Sequence, residues 1–497
     1  MRYISTRGNE KELTAAGAII AGIADDGGLF VPNHIPVLEN NFIESLINLS
    51  YQNRAKKILA EFLTDYTEAE VSACVERAYG NQKFDIDLIA PVVNLSEDTN
   101  VLELWHGPTS AFKDMALQLL PQLMSTALKK TGEKAEIIIL VATSGDTGKA
   151  ALEGFKDVDQ IRIMVFYPQE GVSQMQRLQM VSQKGNNVSV IAVHGNFDDA
   201  QTGVKNIFND EEFNKNLNEA GFQLSSANSI NWGRLVPQIV YYFSAYADLV
   251  KENKLKMGDK VNFVVPTGNF GNILAGYYAK RMGLPVHKLI CASNANNVLT
   301  DFLQTGTYNR NRAFHKTASP SMDILISSNL ERLLFHIGGG DKVQVKAWME
   351  SLNKNGEYTV GADYLAKIKE VFWADWADDT KTAGKIKSVY EKHQYVADTH
   401  TAVAWEVADR YKKVTGDTTV NVIVSTASPY KFNASVLAAL DKSKVTEGNE
   451  FAMLDALEKI SGMKVPEGLD SLRTIKILHK QQCEKEDMKK VVMSLVK

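Results

Sequence analysis

The sequence predicts an α/β protein made of two open, mainly parallel sheet domains preceded by a mainly helical N-terminal section. Three observations carry this. Ile137-Ile138-Ile139-Leu140-Val141-Ala142 is an uninterrupted apolar run, as expected of a parallel strand buried on both faces. A glycine-bearing turn and a helical segment follow that run, and the same unit then recurs. Before it, from Asn41 to Gly80, apolar residues such as Ile47, Tyr51, Leu59, Phe62 and Leu63 return at three- and four-residue spacings between charges, which is helical periodicity.

In chain order, an apolar helix is expected from Met115 to Met124 and the first strand begins at Glu136. Ile161 to Tyr167 reads as the second strand, Ser173 to Lys184 as a helix closed by Gly185, and Val188 to Val193 as a third strand. A second series starts with Val261 to Val265, turns at Gly268-Asn269-Phe270-Gly271, and enters a helix ending at Gly283 with Pro285 beyond it. Its late member is Thr419 to Val424, and from Glu447 the chain is helical and charged. The alternation implies right-handed crossovers and an open sheet. It suggests a helical section over 1–95, a large α/β domain from 96–135 and 215–497, and a small α/β domain over 136–214.

Composition narrows the function classes. At 497 residues the chain suits about three structural units at roughly 150 residues each. With 44% hydrophobic and 23% charged residues it has the balance of a soluble globular protein, and a net charge of −4 gives no basic field for nucleic acid. Small molecules are therefore the expected partners, with neither nucleic acid nor membrane, for a monomer or dimer. Cys74, Cys291 and Cys483 lie far apart and form no disulfide framework, and the N-terminus lacks an apolar leader. Both point to a cytoplasmic protein.

In parallel sheets ligands bind beyond the carboxyl ends of strands, so the loops there come first. Thr143-Ser144-Gly145-Asp146-Thr147-Gly148 offers backbone amides and hydroxyls to an anion at a helix start, or is simply a tight turn with Asp146 as N-cap. It lacks the glycine and hydroxyl positions of a P-loop and the G-x-G-x-x-G of a dinucleotide fold. Gly268-Asn269-Phe270-Gly271-Asn272 is a second strand-to-helix turn able to wrap a phosphate. Ser425-Thr426-Ala427-Ser428-Pro429 ends the last strand with hydroxyls and no ionisable side chain before Lys431. Upstream, His106-Gly107-Pro108-Thr109 leads into Ala111-Phe112-Lys113-Asp114, where a lysine beside an aromatic residue sits just before an apolar helix. Burial there would lower the amine's pKa and make it a nucleophile toward a carbonyl cofactor. His106 reads more readily as structural than catalytic, and no zinc-ligand spacing occurs.

Taken in order, these motifs, with Ser5-Thr6-Arg7-Gly8 and Asp26-Gly27-Gly28-Leu29-Phe30-Val31-Pro32 at the front, resemble the threonine synthase family. That family belongs to the tryptophan-synthase-β-like pyridoxal-phosphate (PLP) enzymes of fold type II. The resemblance implies a lyase reaction, the last step of threonine biosynthesis: O-phospho-L-homoserine and water give L-threonine and phosphate by γ-elimination and β-addition of water. It implies that Lys113 tethers PLP as a Schiff base and acts as the catalytic base, and that Phe112 beside it also binds the cofactor. Gly268, Asn269, Phe270, Gly271 and Asn272 then hold the cofactor phosphate, and the Thr426 hydroxyl meets the pyridine nitrogen. Ser144, Asp146 and Thr147 bind substrate, while Asn228, Ser229 and Arg234 take its phosphate. No metal is implied. One departure stands out, since Ser428 occupies the place of the family's histidine in Thr-Ala-His-Pro-Ala-Lys-Phe. The alternatives are another fold type II lyase or replacement enzyme, such as a dehydratase or a cystathionine synthase-like protein, and a non-catalytic binding protein.

Overall fold

The apolar run at 137–142 lies in the strand Glu136–Ala142, with Ile137, Ile138 and Ile139 fully buried. The computed structural model describes residues 1–497 apart from 81–82, 144, 171 and 497. That strand sits in a five-stranded sheet whose order is Gln481–Cys483, Val188–Val193, Ile161–Pro168, Glu136–Ala142, Phe222–Ser225, with every pairing parallel. Both faces are covered, one by the main core and the other by a separate cluster in which Met488, Val492 and Val496 pack on Ile138, Met164 and Ile191. Double-sided burial explains the lack of polar alternation, and each buried Ile or Val contributes about 1.5–3 kcal/mol.

The larger sheet has six strands in the order Phe372–Trp376, Val286–Ser293, Val261–Pro266, Val420–Ser425, Thr99–Glu103, Val92–Asn94. Only the last pairing is antiparallel. Two open, mainly parallel sheets are therefore present, as the sequence predicts. The N-terminal section supplies the helices Asn40–Glu44, Tyr51–Ala60 and Glu68–Tyr79, the last opened by a capping box at Thr67 and Glu70. Helix Trp232–Lys251 runs through the interior with almost every residue buried, capped by Asn231 accepting from the Gly233 amide.

Three details differ from the sequence reading. The expected helix Met115–Met124 is two helices, Lys113–Leu117 and Leu120–Thr131, with Pro121 in the first turn of the second. Proline has no amide to donate, so it starts a helix more easily than it continues one. Lys113 is thus inside a helical first turn and not ahead of it. Phe222–Ser225 and Gln481–Cys483, placed with the large domain by the division at 214/215, pair in the five-stranded sheet. They are short edge strands, and Gln481-Gln482 carries no apolar run to announce one. Among the described residues, no helix is long and apolar enough to cross a membrane.

The two N-terminal motifs buttress the interior. Strand Tyr3–Ser5 pairs antiparallel with Phe30–Pro32. Beyond it Thr6 donates to Glu331 at 2.5 Å and Arg7 ion-pairs with the same carboxylate at 2.7 Å. Glu331 opens the helix Leu330–Ile337, so this clamp fixes the turn at Asn329 that reaches the site described next.

Candidate active site

Lys113 is positioned by backbone pairing. The Phe112 amide donates to the Thr426 carbonyl at 2.8 Å, and Ala111 bridges to Ala427, which stitches the lysine segment to the end of strand Val420–Ser425. Its side chain is 12% exposed, and Nζ lies 5.4 Å from the centre of the Phe112 ring, 3.3 Å from Ser321 Oγ and 3.8 Å from Asp146 Oδ2. Burial pushes its pKa down to about 8. Asp146 opposes that shift, while the positive fields of Lys431 and Arg234 reinforce it. An amine with such a pKa is still mostly protonated at pH 7, but its unprotonated, nucleophilic fraction of roughly a tenth far exceeds that of an ordinary lysine. Asp114 behind it is held by the Thr109 amide and hydroxyl, yet burial lifts its pKa to about 6.

Asp146 is the first residue of helix Asp146–Phe155 and not its N-cap, which is Gly145. Its carboxylate turns to Lys431, whose Nζ lies 3.0 Å from Oδ1. Burial alone would raise its pKa, but Lys431 and Lys113 outweigh that and hold it well below the usual carboxylate range. Lys431 is itself buried and also donates to the Thr109 carbonyl at 2.8 Å. The loops leaving strands Glu136–Ala142 and Val420–Ser425, one from each sheet, thus meet at an ion pair beside Lys113. Gly148 is required in the first loop, because a Cβ there would sit 2.1 Å from Thr143 Cγ2, and the Thr143 hydroxyl accepts from the Gly145 and Gly148 amides. Thr147 is half-buried on the same helix turn, whereas Ser144 lies outside the described residues.

The Gly268–Asn272 turn has the features of a phosphate cradle. Phe270 holds a positive φ of 62° as N-cap of helix Gly271–Arg281, and its buried ring packs on Phe372 at 5.7 Å, which fixes a conformation costly for a bulky residue. Asn272 directs Oδ1 to the hydroxyls of Tyr241 and Tyr242, leaving its buried Nδ2 without a partner among the described residues. A buried unpaired donor costs about 1–3 kcal/mol, so it needs an acceptor. Asn269 is exposed, and its carbonyl accepts from Asn329 Nδ2 at 3.0 Å. The Thr426 hydroxyl, nearly buried, donates to no described residue. A buried amine of lowered pKa, a glycine-flanked cradle with an orphan amide and a free hydroxyl fit pyridoxal phosphate. A Cβ on Gly268 would lie 2.7 Å from the Ser321 carbonyl oxygen. Gly268→Ala is therefore expected to displace that turn and weaken cofactor affinity by about tenfold or more, the equivalent of ~1.4 kcal/mol. A fluorescence titration of the apoprotein measures it.

Arg234 is 4% exposed, and its pKa is pushed down to about 10 by burial. Nη1 donates to the Ala227 carbonyl at 2.6 Å, Nε is buried without a partner, and no carboxylate pairs with it among the described residues. Ser229 Oγ lies 3.3 Å from Ser328 Oγ and 3.4 Å from Asn329 Nδ2, so Asn329 bridges this segment to the Gly268–Asn272 turn. Asn228 is exposed, and its side chain bonds to no described residue. The sequence reading missed Ser321, Asn329 and His400 as members of the site. They sit in segments without glycine-loop or apolar-strand signals, and only folding brings Ser321 to Lys113, His400 to the Ser321 amide and Asn329 to the Gly268–Asn272 turn.

His106 is structural. Its ring stacks on Trp105 at 4.2 Å and bonds Asp85 at 2.6 Å and Glu103 at 2.9 Å. Burial disfavours its charge, but the two carboxylates outweigh burial and raise the pKa to about 9 from an ordinary 6.5. A raised histidine pKa stabilises the fold fully below about 6.5, and that contribution is lost as pH rises toward 9. His106→Gln should flatten this segment of the Tm-against-pH curve and lower Tm most at its acid end.

Three family models match the chain in order: "Threonine synthase N terminus" over residues 2–79, "Pyridoxal-phosphate dependent enzyme" over 94–361, and "Threonine synthase, C-terminal" over 401–473. The threonine synthase of Saccharomyces cerevisiae is 37% identical over 489 residues, covering 93% of each chain. Human threonine synthase-like 1 is 43% identical over 444 residues, covering 87% of this chain and 58% of its own. This chain thus spans about six-tenths of the length of the threonine synthase-like 1 relatives. The crystal structure of PLP-bound threonine synthase from Brucella melitensis superposes with a TM-score of 0.88 at 39% identity, covering 100% of this chain and 98% of that one. With all three models matched in order and full-length relatives on the same fold, the chain belongs to the threonine synthase family of pyridoxal-phosphate-dependent enzymes.

Proposed function

We propose that the protein converts O-phospho-L-homoserine and water to L-threonine and phosphate, with pyridoxal phosphate tethered at Lys113. The observation that carries this reading is the excess of buried positive charge. Lys113, Lys431 and Arg234 outnumber the buried carboxylates Asp146 and Asp114 in the field around Lys113, and Arg234 has no carboxylate of its own among the described residues. Such a pocket suits an amino acid bearing a dianionic phosphate.

In this reading Gly268 to Asn272 hold the cofactor phosphate and Thr426 meets the ring nitrogen. The cofactor supplies an electron sink for charge developing at the substrate's Cα. Lys113 Nζ would accept the Cα proton. Asp146, kept ionised by Lys431, holds Lys113 in place, and the amides opening helix Asp146–Phe155, with Ser144 and Thr147, orient the substrate. Arg234, with Ser229 and Asn228, stabilises the phosphate as it leaves Cγ with loss of a proton from Cβ, after which Cγ is protonated and water adds at Cβ. Burial of the lysines limits water near the amine until addition at Cβ. Free, buried Cys74, Cys291 and Cys483 accord with a reducing cytoplasm as its location.

The test is product stoichiometry. On incubation with O-phospho-L-homoserine, threonine and inorganic phosphate should appear in equal amounts. Phosphate without threonine would assign the chain to a phosphate-eliminating lyase of the same fold instead.

A further inference from the structure

The turn Pro320–Met322 places Ser321 Oγ between the two principal charged groups of the site, 3.3 Å from Lys113 Nζ and 3.4 Å from Asp146 Oδ2. The turn is anchored from behind. The Ser321 amide donates to His400 Nε2 at 3.2 Å, and His400 Nδ1 lies 2.9 Å from Asp398 Oδ1. An amide can only donate, so His400 Nε2 carries no proton, and Nδ1–H donates to Asp398. Asp398 is fully buried and also accepts from the His400 amide and the Thr401 hydroxyl, so the ring cannot turn. On the other side Asp323 receives Asn294, Asn296 and Thr317, which makes the loop carrying Ser321 a fixed support.

We infer that Ser321, anchored through its amide by the Asp398–His400 pair, is the positioning residue for the Lys113 amine: its hydroxyl accepts one N–H from Nζ and donates its own proton to Asp146. Lys113 and Asp146 stand 3.8 Å apart, too far for a good direct hydrogen bond, and the hydroxyl closes that gap. This aims the amine's lone pair while leaving Asp146 ionised. The inference rests on the proposed role of Lys113, and it gives the Asp398–His400 pair a purpose that proton transfer to substrate does not require of it.

The groups that set the charge of Lys113 are Asp146, Asp114, Lys431 and Arg234, and all remain in a Ser321 variant. A hydroxyl that accepts from the ammonium favours its charged form, so its removal should lower the amine's pKa. The experiment follows recombination of apoprotein with pyridoxal phosphate against pH, because only the unprotonated amine attacks the carbonyl. Ser321→Ala should move the inflection about half to one pH unit downward and reduce kcat about tenfold with KM within about twofold. Ser321→Thr, which keeps the hydroxyl, should retain the wild-type inflection. An Ala profile superimposed on wild type, or a Thr profile shifted as far as Ala, overturns the inference. Absence of threonine formation in the wild type would sink the functional reading alone, since the recombination profile still decides the role of Ser321.

Discussion

Lys113→Ala is expected to lower turnover by at least about 10³-fold while leaving the protein folded, because in the proposed function one amine serves as both cofactor tether and proton acceptor. No neighbour can replace it. Lys431 is the nearest rival, but it is 2% exposed and committed to Asp146 at 3.0 Å and the Thr109 carbonyl at 2.8 Å. The substitution also removes a buried cation from beside Asp146. Lys431 remains to keep that carboxylate paired, so the site should not collapse. Steady-state phosphate release and a thermal melt on one preparation check both halves. Turnover within a few-fold of wild type would mean that another group carries the proton.

Arg234→Ala is expected to leave cofactor content unchanged and to reduce kcat/KM for O-phospho-L-homoserine by about 100-fold, the equivalent of ~2.7 kcal/mol. The direction follows from what the guanidinium lacks. It is buried, uses Nη1 on the Ala227 carbonyl, and keeps Nε unpaired with no carboxylate near it among the described residues. A cation held this way awaits an anion, and losing a contact that strengthens as phosphate departs raises the barrier itself. Arg234→Lys should recover only part of the loss, because a single ammonium cannot present the planar fork. Measuring bound pyridoxal phosphate beside the kinetics separates the two phosphates. Loss of cofactor with unaltered substrate handling would move Arg234 to the cofactor's phosphate.

Much of this organisation is legible in the sequence wherever one local force dominates. Glu136–Ala142 falls where the apolar run at 137–142 places it, because a strand buried on both faces leaves no room for polar alternation. The Gly268 turn is visible because a close backbone approach excludes a Cβ. Edge strand Gln481–Cys483 is invisible because its stability comes from a partner almost 300 residues earlier. Asp146 shows the limit most clearly: its position before a helix reads as a cap, but the fold brings Lys431 and Lys113 to it, and Coulomb attraction in a dry site outweighs the pull of its own helix amides. Ser321 and His400 carry no local signature, since each acts through a contact made only in the folded chain.

Every role assigned here turns on which lysine holds the cofactor. Borohydride reduction of the holoenzyme followed by peptide mapping reads this directly, since the reduced bond leaves the pyridoxyl mass permanently on one residue. That mass is expected on the peptide containing Lys113 and on no other. The pyridoxyl mass on the Lys431 peptide, or on none, would contradict it.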